Sequence, residues 1–257
     1  MTETAIVILA AGKGTRMKSR RPKVLHAVAG QPMLHHVLAT ARTLSPEHLV
    51  IVLGPDMDEI SNSLRAVVPM AEIVIQQERF GSGHAVQMAK PALDGFTGDV
   101  LVLYGDVPLI TAETLRALLA ARCGGAALAV LAFEPDDSAA YGRLVLGPKG
   151  GLERIVETLD ADAADAAINL CNSGIMVVDG AHLFALLDGL GNDNAKGEYY
   201  LTDIVAGAHV LGFGCVYAMA ALDEVIGIND RSQLAEAERV LQTRLRQEAM
   251  KNGATLV

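Results

Sequence analysis

The sequence predicts an α/β protein built on a mostly parallel sheet with helices on both faces. Short runs rich in Val, Ile and Leu alternate with helix-like segments, and these runs lack the polar alternation of a half-exposed strand. Strands are apolar along their whole length when helices cover both faces of their sheet. The predicted strands are residues 5–9, 48–53, 71–76, 99–104 and 127–133. The helix-like segments are residues 32–44, 57–66, 83–92 and 111–122.

The helix at 111–122 has a recognisable start. Thr111 is a candidate N-cap, and Glu113 lies in the first turn, where the helix dipole favours an acid. After about residue 140 the rhythm changes, and residues 141–157 read as a hairpin that turns at Pro148 to Gly151. The remaining predicted elements are a strand at 173–178, helices at 180–188 and 201–212, a strand at 214–219, and an amphipathic helix at 230–250.

Composition excludes several classes of protein. The chain has 257 residues, of which 51% are hydrophobic and 20% charged, as expected for a globular rather than a disordered protein. No apolar run reaches the ~18 to 20 residues of a membrane span, and the charges after residue 12 do not suit a signal peptide. We therefore expect a cytoplasmic protein. Three cysteines, far apart in sequence, are expected to be small apolar residues in a reducing compartment (Cys123, Cys171 and Cys215).

Charge is distributed unevenly along the chain. The net charge of −9 argues against a nucleic-acid-binding surface. Yet six cations lie within residues 13–23, and no acidic residue occurs between Glu3 and Glu47. Such a cluster in an acidic protein predicts contact with a compact polyanion, and the alternative is a solvated basic loop.

The loop that carries these cations has the ingredients of a phosphate site, although it matches neither the G-x-G-x-x-G nor the Walker pattern. The first strand ends at Leu9, and the small residues Ala10, Ala11 and Gly12 allow a ligand to approach the backbone. Arg16 and Lys23 can then reach phosphate oxygens, Arg16 as a fork and Lys23 as a point charge. Ligands of such sheets bind at the carboxyl ends of the strands, so loops 10–23, 77–83 and 105–110 should share one rim.

Several motifs together carry a resemblance to a known family. "LAAGKGTRM" followed by "PKVL" resembles the signature of the sugar-1-phosphate nucleotidylyltransferases. The later motifs "GSGHA", "LYGDVPLI", "YGR", "NSGIM", "GEYYLTD" and "GIND" narrow it. Over essentially its whole length the chain is similar to the uridylyltransferase half of the bifunctional GlmU family, N-acetylglucosamine-1-phosphate uridylyltransferase/glucosamine-1-phosphate acetyltransferase. The resemblance implies a Rossmann-like three-layer nucleotidyltransferase fold with a mostly parallel mixed sheet and a smaller sugar-binding lobe.

The resemblance implies a magnesium site at Asp106 and Asn229. Mg²⁺ prefers one or two protein oxygens and takes the rest from water and phosphate. From the residues alone, Asp106 is either such a ligand or a turn residue, and Asn229 reads as part of the start of a helix near Asp230.

The other site residues also follow from the resemblance. The nucleotide is expected at Leu9, Ala10, Ala11, Gly12, Gln76, Gly81 and Ser82, and the sugar phosphate at Tyr104, Gly105, Gly142, Glu157 and Asn172. Arg16 and Lys23 are expected to be catalytic. By themselves, Gln76 reads as a polar residue at a strand end and Glu157 as a surface residue. A Gln amide can pair with the uracil edge because it carries a donor and an acceptor.

The implied reaction is Mg²⁺-dependent transfer of UMP from UTP to N-acetyl-α-D-glucosamine 1-phosphate. It gives UDP-N-acetylglucosamine and pyrophosphate, for peptidoglycan and lipopolysaccharide precursors, without a covalent intermediate. The alternatives are another sugar 1-phosphate or nucleoside triphosphate, or a nucleotide-sugar-binding protein without turnover. We expect no nucleic acid or membrane partner.

The sequence departs from the family pattern at three places. Ser82 stands where the family usually has Thr, and Leu159 where it usually has Lys, which puts the identity of the sugar in doubt. The hexapeptide repeats of a left-handed β-helix are not found, so we expect no acetyltransferase activity and a monomer. We expect a nucleotidyltransferase domain at 1–229, with a UTP-binding half at about 1–110 and a sugar-phosphate half at about 140–229, followed by a linker-like helix at 230–257.

Overall fold

The computed structural model of the chain describes residues 2–256, apart from the side chains of residues 58, 59, 62, 63 and 66. The strands are β1 Thr4–Leu9, β2 Ala27–Val28, β3 Gln31–Pro32, β4 His48–Leu53, β5 Glu72–Ile75, β6 Asp99–Tyr104, β7 Leu128–Phe133, β8 Arg143–Leu146, β9 Leu152–Val156, β10 Cys171–Asp179 and β11 Cys215–Met219. The α-helices are α1 Met33–Arg42, α2 Asp58–Val67, α3 Ser82–Gln87, α4 Ala112–Arg122, α5 Ala163–Ala166, α6 Gly180–Asp188, α7 Asp203–Val210, α8 Leu222–Val225 and α9 Arg231–Lys251.

The main sheet has the order β11-β7-β10-β6-β1-β4-β5, and the β8–β9 hairpin is attached to β10. The pairs β1–β4, β1–β6, β4–β5 and β7–β11 are parallel. β10 is antiparallel to both β6 and β7. The predicted α/β fold with a mostly parallel mixed sheet is therefore confirmed.

Both faces of the sheet are buried. Ile6 and Ile8 of β1 belong to the apolar cluster on one face, whereas Ala5 and Val7 belong to the cluster on the other. All four side chains are fully buried, which explains why the strands carry no polar alternation. No helix in the described part of the chain is both long and apolar enough to cross a bilayer.

One predicted helix cap is present, and one predicted helix is divided in two. Thr111 caps α4, because its side chain accepts a hydrogen bond from the backbone N–H of Thr114 at 3.2 Å. The segment predicted as one helix at 83–92 is instead α3 followed by a 3₁₀ turn at Lys90–Leu93. The prediction of a continuous helix was wrong, because Pro91 has no N–H with which to continue the α-helical hydrogen bonds.

The cysteines do not all behave as expected. Cys171 and Cys215 are buried, as predicted for small apolar residues. Cys123 is exposed immediately after α4, so it does not fill apolar space as expected. The sequence signal was ambiguous there, since Cys123 follows the last turn of a helix and precedes two glycines.

Candidate functional site

A cavity of about 540 Å³ lies at the carboxyl ends of β1 and β6. Residues from all three loops that were expected to share a rim line it, from 10–23, 77–83 and 105–110. The seven residues expected at the nucleotide all line this cavity: Leu9, Ala10, Ala11, Gly12, Gln76, Gly81 and Ser82. Lys23 lines it as well.

A second cavity of about 230 Å³ adjoins the first. Its lining includes Arg16, Asn172 and Asn229. Tyr104 and Asp106 line both cavities and therefore stand where the two meet. The two cavities can hold the two halves of one ligand. The place where the cavities meet, beside Tyr104 and Asp106, is called the joint below.

Lys23, Asp106 and Asn229 form a cluster at this joint. The ammonium of Lys23 forms an ion pair with Asp106 Oδ2 and donates a hydrogen bond to Asn229 Oδ1 at 3.0 Å. The side chains of Lys23 and Asp106 are only 11% and 17% exposed. Asp106 and Asn229, which lie more than one hundred positions apart in the sequence, thus each direct an oxygen at the Lys23 ammonium.

The backbone around Asn229 explains how its side chain reaches this point. Asp230, not Asn229, caps α9, since its Oδ1 accepts from the backbone N–H groups of Ser232 and Gln233 at 2.9 Å each. The alternative reading of Asn229 as a helix cap therefore does not apply. The Gln233 side chain accepts from the Asn229 N–H at 2.7 Å, and the Asn229 amide nitrogen donates to the Gly227 carbonyl at 3.1 Å.

The loop that carries Asn229 is also joined directly to the loop that carries Asp106. The backbone N–H of Ile228 donates to the Asp106 carbonyl oxygen at 2.9 Å. Ile228 is fully buried in a small cluster that α9 forms with the β2–β3 region. Docking of α9 therefore fixes the separation of the two oxygen donors.

The donor set fits a hard divalent cation such as Mg²⁺. A carboxylate oxygen of Asp106 and the amide oxygen of Asn229 both contact the Lys23 ammonium, which occupies the place where a metal ion would bind. Mg²⁺ is commonly held by one or two protein oxygens together with substrate phosphates. Within the described residues no cluster of three or more His, Cys, Asp or Glu side chains could hold a metal, so an all-protein site is not formed there.

Gln76 is held in one orientation by its neighbours. Its amide nitrogen lies 3.1 Å from the Gly81 carbonyl, to which it donates, and 3.0 Å from His84 Nδ1. With the nitrogen engaged, the amide oxygen is left as an acceptor for a ligand. An acceptor suits the N3–H of uracil and opposes cytosine, whose N3 is itself an acceptor.

Arg79, which the sequence reasoning missed, supports the same cavity. Its Nε donates to the Ala11 carbonyl at 2.7 Å, and its guanidinium reaches Asp56 at 3.2 Å. It also lines the cavity, as do Lys13 and Glu198. Its position in the loop 77–83 was the only sequence signal for this role, because its contacts are tertiary.

Gly81 is the position in this loop where glycine is required. Its φ is +113°, and an added Cβ would lie 2.5 Å from the Tyr199 carbonyl oxygen. The Tyr199 N–H donates to the Phe80 carbonyl at 2.7 Å, and the Gly83 N–H donates to Tyr199 at 2.8 Å. The Ser82 hydroxyl accepts from the Leu201 N–H at 3.0 Å. The loop and the "GEYYLTD" segment are therefore packed backbone to backbone.

The expected sugar residues are only partly brought together. Tyr104 and Asn172 line the second cavity, but Gly105, Gly142 and Glu157 line neither of the two cavities described above. Gly105 has a packing role, since an added Cβ would lie 3.2 Å from side-chain carbons of both Ala10 and Leu34.

Gly142 and Glu157 are nevertheless neighbours across the β8–β9 hairpin. A Cβ on Gly142 would stand 3.5 Å from Glu157 Oε2. The other oxygen of Glu157 accepts from the buried hydroxyl of Thr202 at 3.1 Å. Asn172 Oδ1 accepts from the Gly174 N–H at 2.9 Å, which leaves the Asn172 amide nitrogen as a donor.

Burial changes the ionisation of two side chains, Tyr104 and Asp203. Burial raises the pKa of Tyr104 well above its ordinary value, with smaller contributions from Glu157 and Asp106, so its hydroxyl stays neutral. Burial also raises the pKa of Asp203 to about 6, with Glu157 and Asp160 adding to the effect. Leu159 is 66% exposed and contributes no charge here.

Known proteins resemble this chain over its whole length. The chain matches the MobA-like NTP transferase domain family over residues 6–199. It is 54% identical over 258 aligned positions to a protein named bifunctional protein GlmU from Rhodospirillum rubrum, covering 100% of the chain and 57% of that protein. Bifunctional GlmU proteins of Xanthobacter autotrophicus and Paramagnetospirillum magneticum are 52% and 51% identical, over 98% and 100% of the chain and 56% of each relative.

The chain thus spans a little over half the length of the curated relatives it matches. The resemblance to GlmU proteins expected from the motifs is confirmed.

Proposed function

The chain belongs to the MobA-like NTP transferase domain family, and on that premise we propose that it transfers UMP from UTP to N-acetyl-α-D-glucosamine 1-phosphate. The products are UDP-N-acetylglucosamine and pyrophosphate. The observation that carries the proposal is the cluster of Lys23, Asp106 and Asn229 where two cavities meet. A cation site at that joint suits a phosphate that is shared between a nucleoside and a sugar.

The larger cavity is the proposed nucleotide site, at Leu9, Ala10, Ala11, Gly12, Gln76, Gly81 and Ser82. The small residues of the first loop support this, because they let the nucleoside approach the backbone. The acceptor oxygen of Gln76 supports uracil as the base. The proposed sugar-phosphate side comprises Tyr104, Gly105, Gly142, Glu157 and Asn172, of which Tyr104 and Asn172 line the smaller cavity.

Asp106 and Asn229 would hold Mg²⁺, which supplies charge neutralisation at the phosphates when bound. Arg16, which lines the smaller cavity, offers a guanidinium fork to phosphate oxygens on the sugar side. Lys23 lines the larger cavity and offers a point charge to the triphosphate. Both act by positioning two anions and stabilising the charge that spreads over the transferred phosphoryl group.

The chain needs no nucleophile of its own for this reaction. The phosphate of the sugar 1-phosphate is already an anion at neutral pH, and it attacks the α-phosphorus of UTP. The bond between that phosphorus and the bridging oxygen breaks, and pyrophosphate leaves with the electron pair. The proposed role of the reaction is supply of cell-wall and lipopolysaccharide precursors in the cytoplasm, with the described chain as a monomer.

The test is pyrophosphate release by the purified chain with UTP, Mg²⁺ and a panel of sugar 1-phosphates. We expect release with N-acetylglucosamine 1-phosphate that EDTA abolishes. Arg16→Ala is expected to lower kcat/KM by several powers of ten, and Arg20→Ala, which removes another exposed cation of the same loop, serves as the matched control. If no sugar 1-phosphate gives pyrophosphate release, the proposal that the chain is an enzyme is refuted. If only another sugar 1-phosphate gives release, the reaction type stands and the proposed sugar substrate is wrong.

A further inference from the structure

We propose that Lys23 is a resident counter-ion that holds Asp106 and Asn229 in position before the metal ion binds, and that it turns to the triphosphate when the metal ion arrives. The inference rests on the proposed function, because it takes Asp106 and Asn229 as the metal ligands. It adds a positioning role to the phosphate contact proposed for Lys23.

The Asp106 carboxylate is largely buried, and a buried charge is costly. The side chain of Asp106 is 17% exposed and that of Lys23 is 11% exposed. A carboxylate so far removed from water needs a cation beside it. In the structure the Lys23 ammonium is that cation, and it also contacts Asn229 Oδ1 at 3.0 Å.

The base of the Lys23 side chain is packed against the first loop. An added Cβ on Gly14 would lie 2.5 Å from Lys23 Cβ, so the first loop closes directly over the base of this side chain. Gly14 allows this approach because it has no Cβ, and its φ of +62° is a second reason for glycine there. The flexible four-carbon stem beyond Cβ lets the ammonium change partners. Lys23 lines the nucleotide cavity, so a triphosphate there is within its reach.

A metal ion and the Lys23 ammonium compete for the same two oxygens. A divalent cation and the ammonium cannot both occupy the point at which Asp106 and Asn229 converge, because the two cations repel each other. Lys23 therefore weakens metal binding to the free chain. A bound triphosphate offers the ammonium new oxygens and removes this penalty, so metal and nucleotide bind cooperatively.

The test measures Mn²⁺ binding to the free chain by electron paramagnetic resonance, without nucleotide. Lys23→Met keeps the buried stem and removes the charge, and it is expected to tighten Mn²⁺ binding about tenfold or more. The matched control is Lys18→Met, which removes an exposed cation of the same loop and should stay within about twofold of the wild type. Lys23→Arg retains a cation and should keep weak binding.

Asp106→Asn separates the two proposals. If it loses Mn²⁺ binding while Lys23→Met binds no more tightly than the wild type, the role of Lys23 is overturned and the metal site stands. If Asp106→Asn binds Mn²⁺ as the wild type does, the metal site itself is wrong.

A second measurement does not depend on the folding of Lys23→Met. The ammonium resonance of Lys23 is observed in chain labelled with ¹⁵N-lysine and assigned by its absence in Lys23→Arg. We expect the chemical shift of this resonance to change when Mg²⁺ and UTP bind together and to remain unchanged when uridine alone is added. A resonance that does not respond to Mg²⁺ and UTP would overturn the proposal.

Discussion

Asp203 provides a stability prediction whose sign follows from its surroundings. The residue begins α7 and is half-buried, and burial together with Glu157 and Asp160 raises its pKa from 3.8 to about 6. The folded chain therefore holds the Asp203 proton more tightly than the unfolded chain does. Protonation stabilises the fold fully below about pH 4, and this contribution is lost as the pH rises through about 6.

The size of the effect follows from the shift. A displacement of about two pKa units corresponds to about 3 kcal/mol at most. Since Asp203 is only half-buried, solvent screening reduces this to about 1–2 kcal/mol. Asp203→Asn cannot ionise, so its free energy of unfolding should match that of the wild type near pH 4 and exceed it by about 1–2 kcal/mol at pH 7.

The measurement is urea unfolding of both chains at intervals between pH 4 and pH 7. Asp193→Asn, which removes an exposed carboxylate, is expected to stay within about 0.5 kcal/mol of the wild type at each pH. A difference between Asp203→Asn and the wild type that does not change with pH would refute the reasoning. It would mean that the carboxyl of Asp203 titrates alike in the folded and unfolded chains.

The remaining predictions concern glycines, a buried ion pair and a helix start. Gly81→Ala should lower the free energy of unfolding by about 2–4 kcal/mol in urea, because its φ is +113° and the added Cβ would lie 2.5 Å from a backbone oxygen. Gly12→Ala meets nothing within 4 Å, so it should unfold like the wild type and raise only the KM for UTP. Arg122→Met should cost about 3–5 kcal/mol in urea unfolding, because two carboxylates lose the guanidinium between them. Gln233→Leu should weaken Mn²⁺ binding to the free chain several-fold with little change in melting temperature, and unchanged binding would contradict its positioning role.

Much of the fold was predictable because the sheet is buried on both faces. A strand such as β1 must be apolar at every position in that setting, and the run at 5–9 stands out for that reason. The β2–β3 hairpin was missed, because its strands have two residues each and no periodicity can appear in so short a segment. Its turn depends on positive φ at Ala29 and Gly30, and Ala is an uncommon residue there.

The site was less predictable from physical reasoning alone. Asp106 could be placed on the ligand rim because it follows a buried strand. Asn229 could not, because its partner lies 123 positions away and only the packing of α9 brings them together. Without the family resemblance, a helix cap was the better interpretation. Gln233 had only a partial signal. Asp230 followed three residues later by Gln is the pattern of a capping box, but the Gln233 side chain accepts from the N–H of Asn229 rather than from that of the cap residue Asp230.

The loop at 80–83 is connected to Glu157 through the segment from Tyr199 to Thr202. The segment from Tyr199 to Leu201 makes three hydrogen bonds to the loop from Phe80 to Gly83, with donor–acceptor distances of 2.7, 2.8 and 3.0 Å. The Ser82 hydroxyl makes one of them, so Ser82 has a structural role besides the contact with a nucleotide proposed above. Thr202 continues the same segment and holds Glu157. A displacement of the loop at 80–83 therefore reaches Glu157, and variants of that loop should change the KM of the sugar phosphate as well as that of UTP.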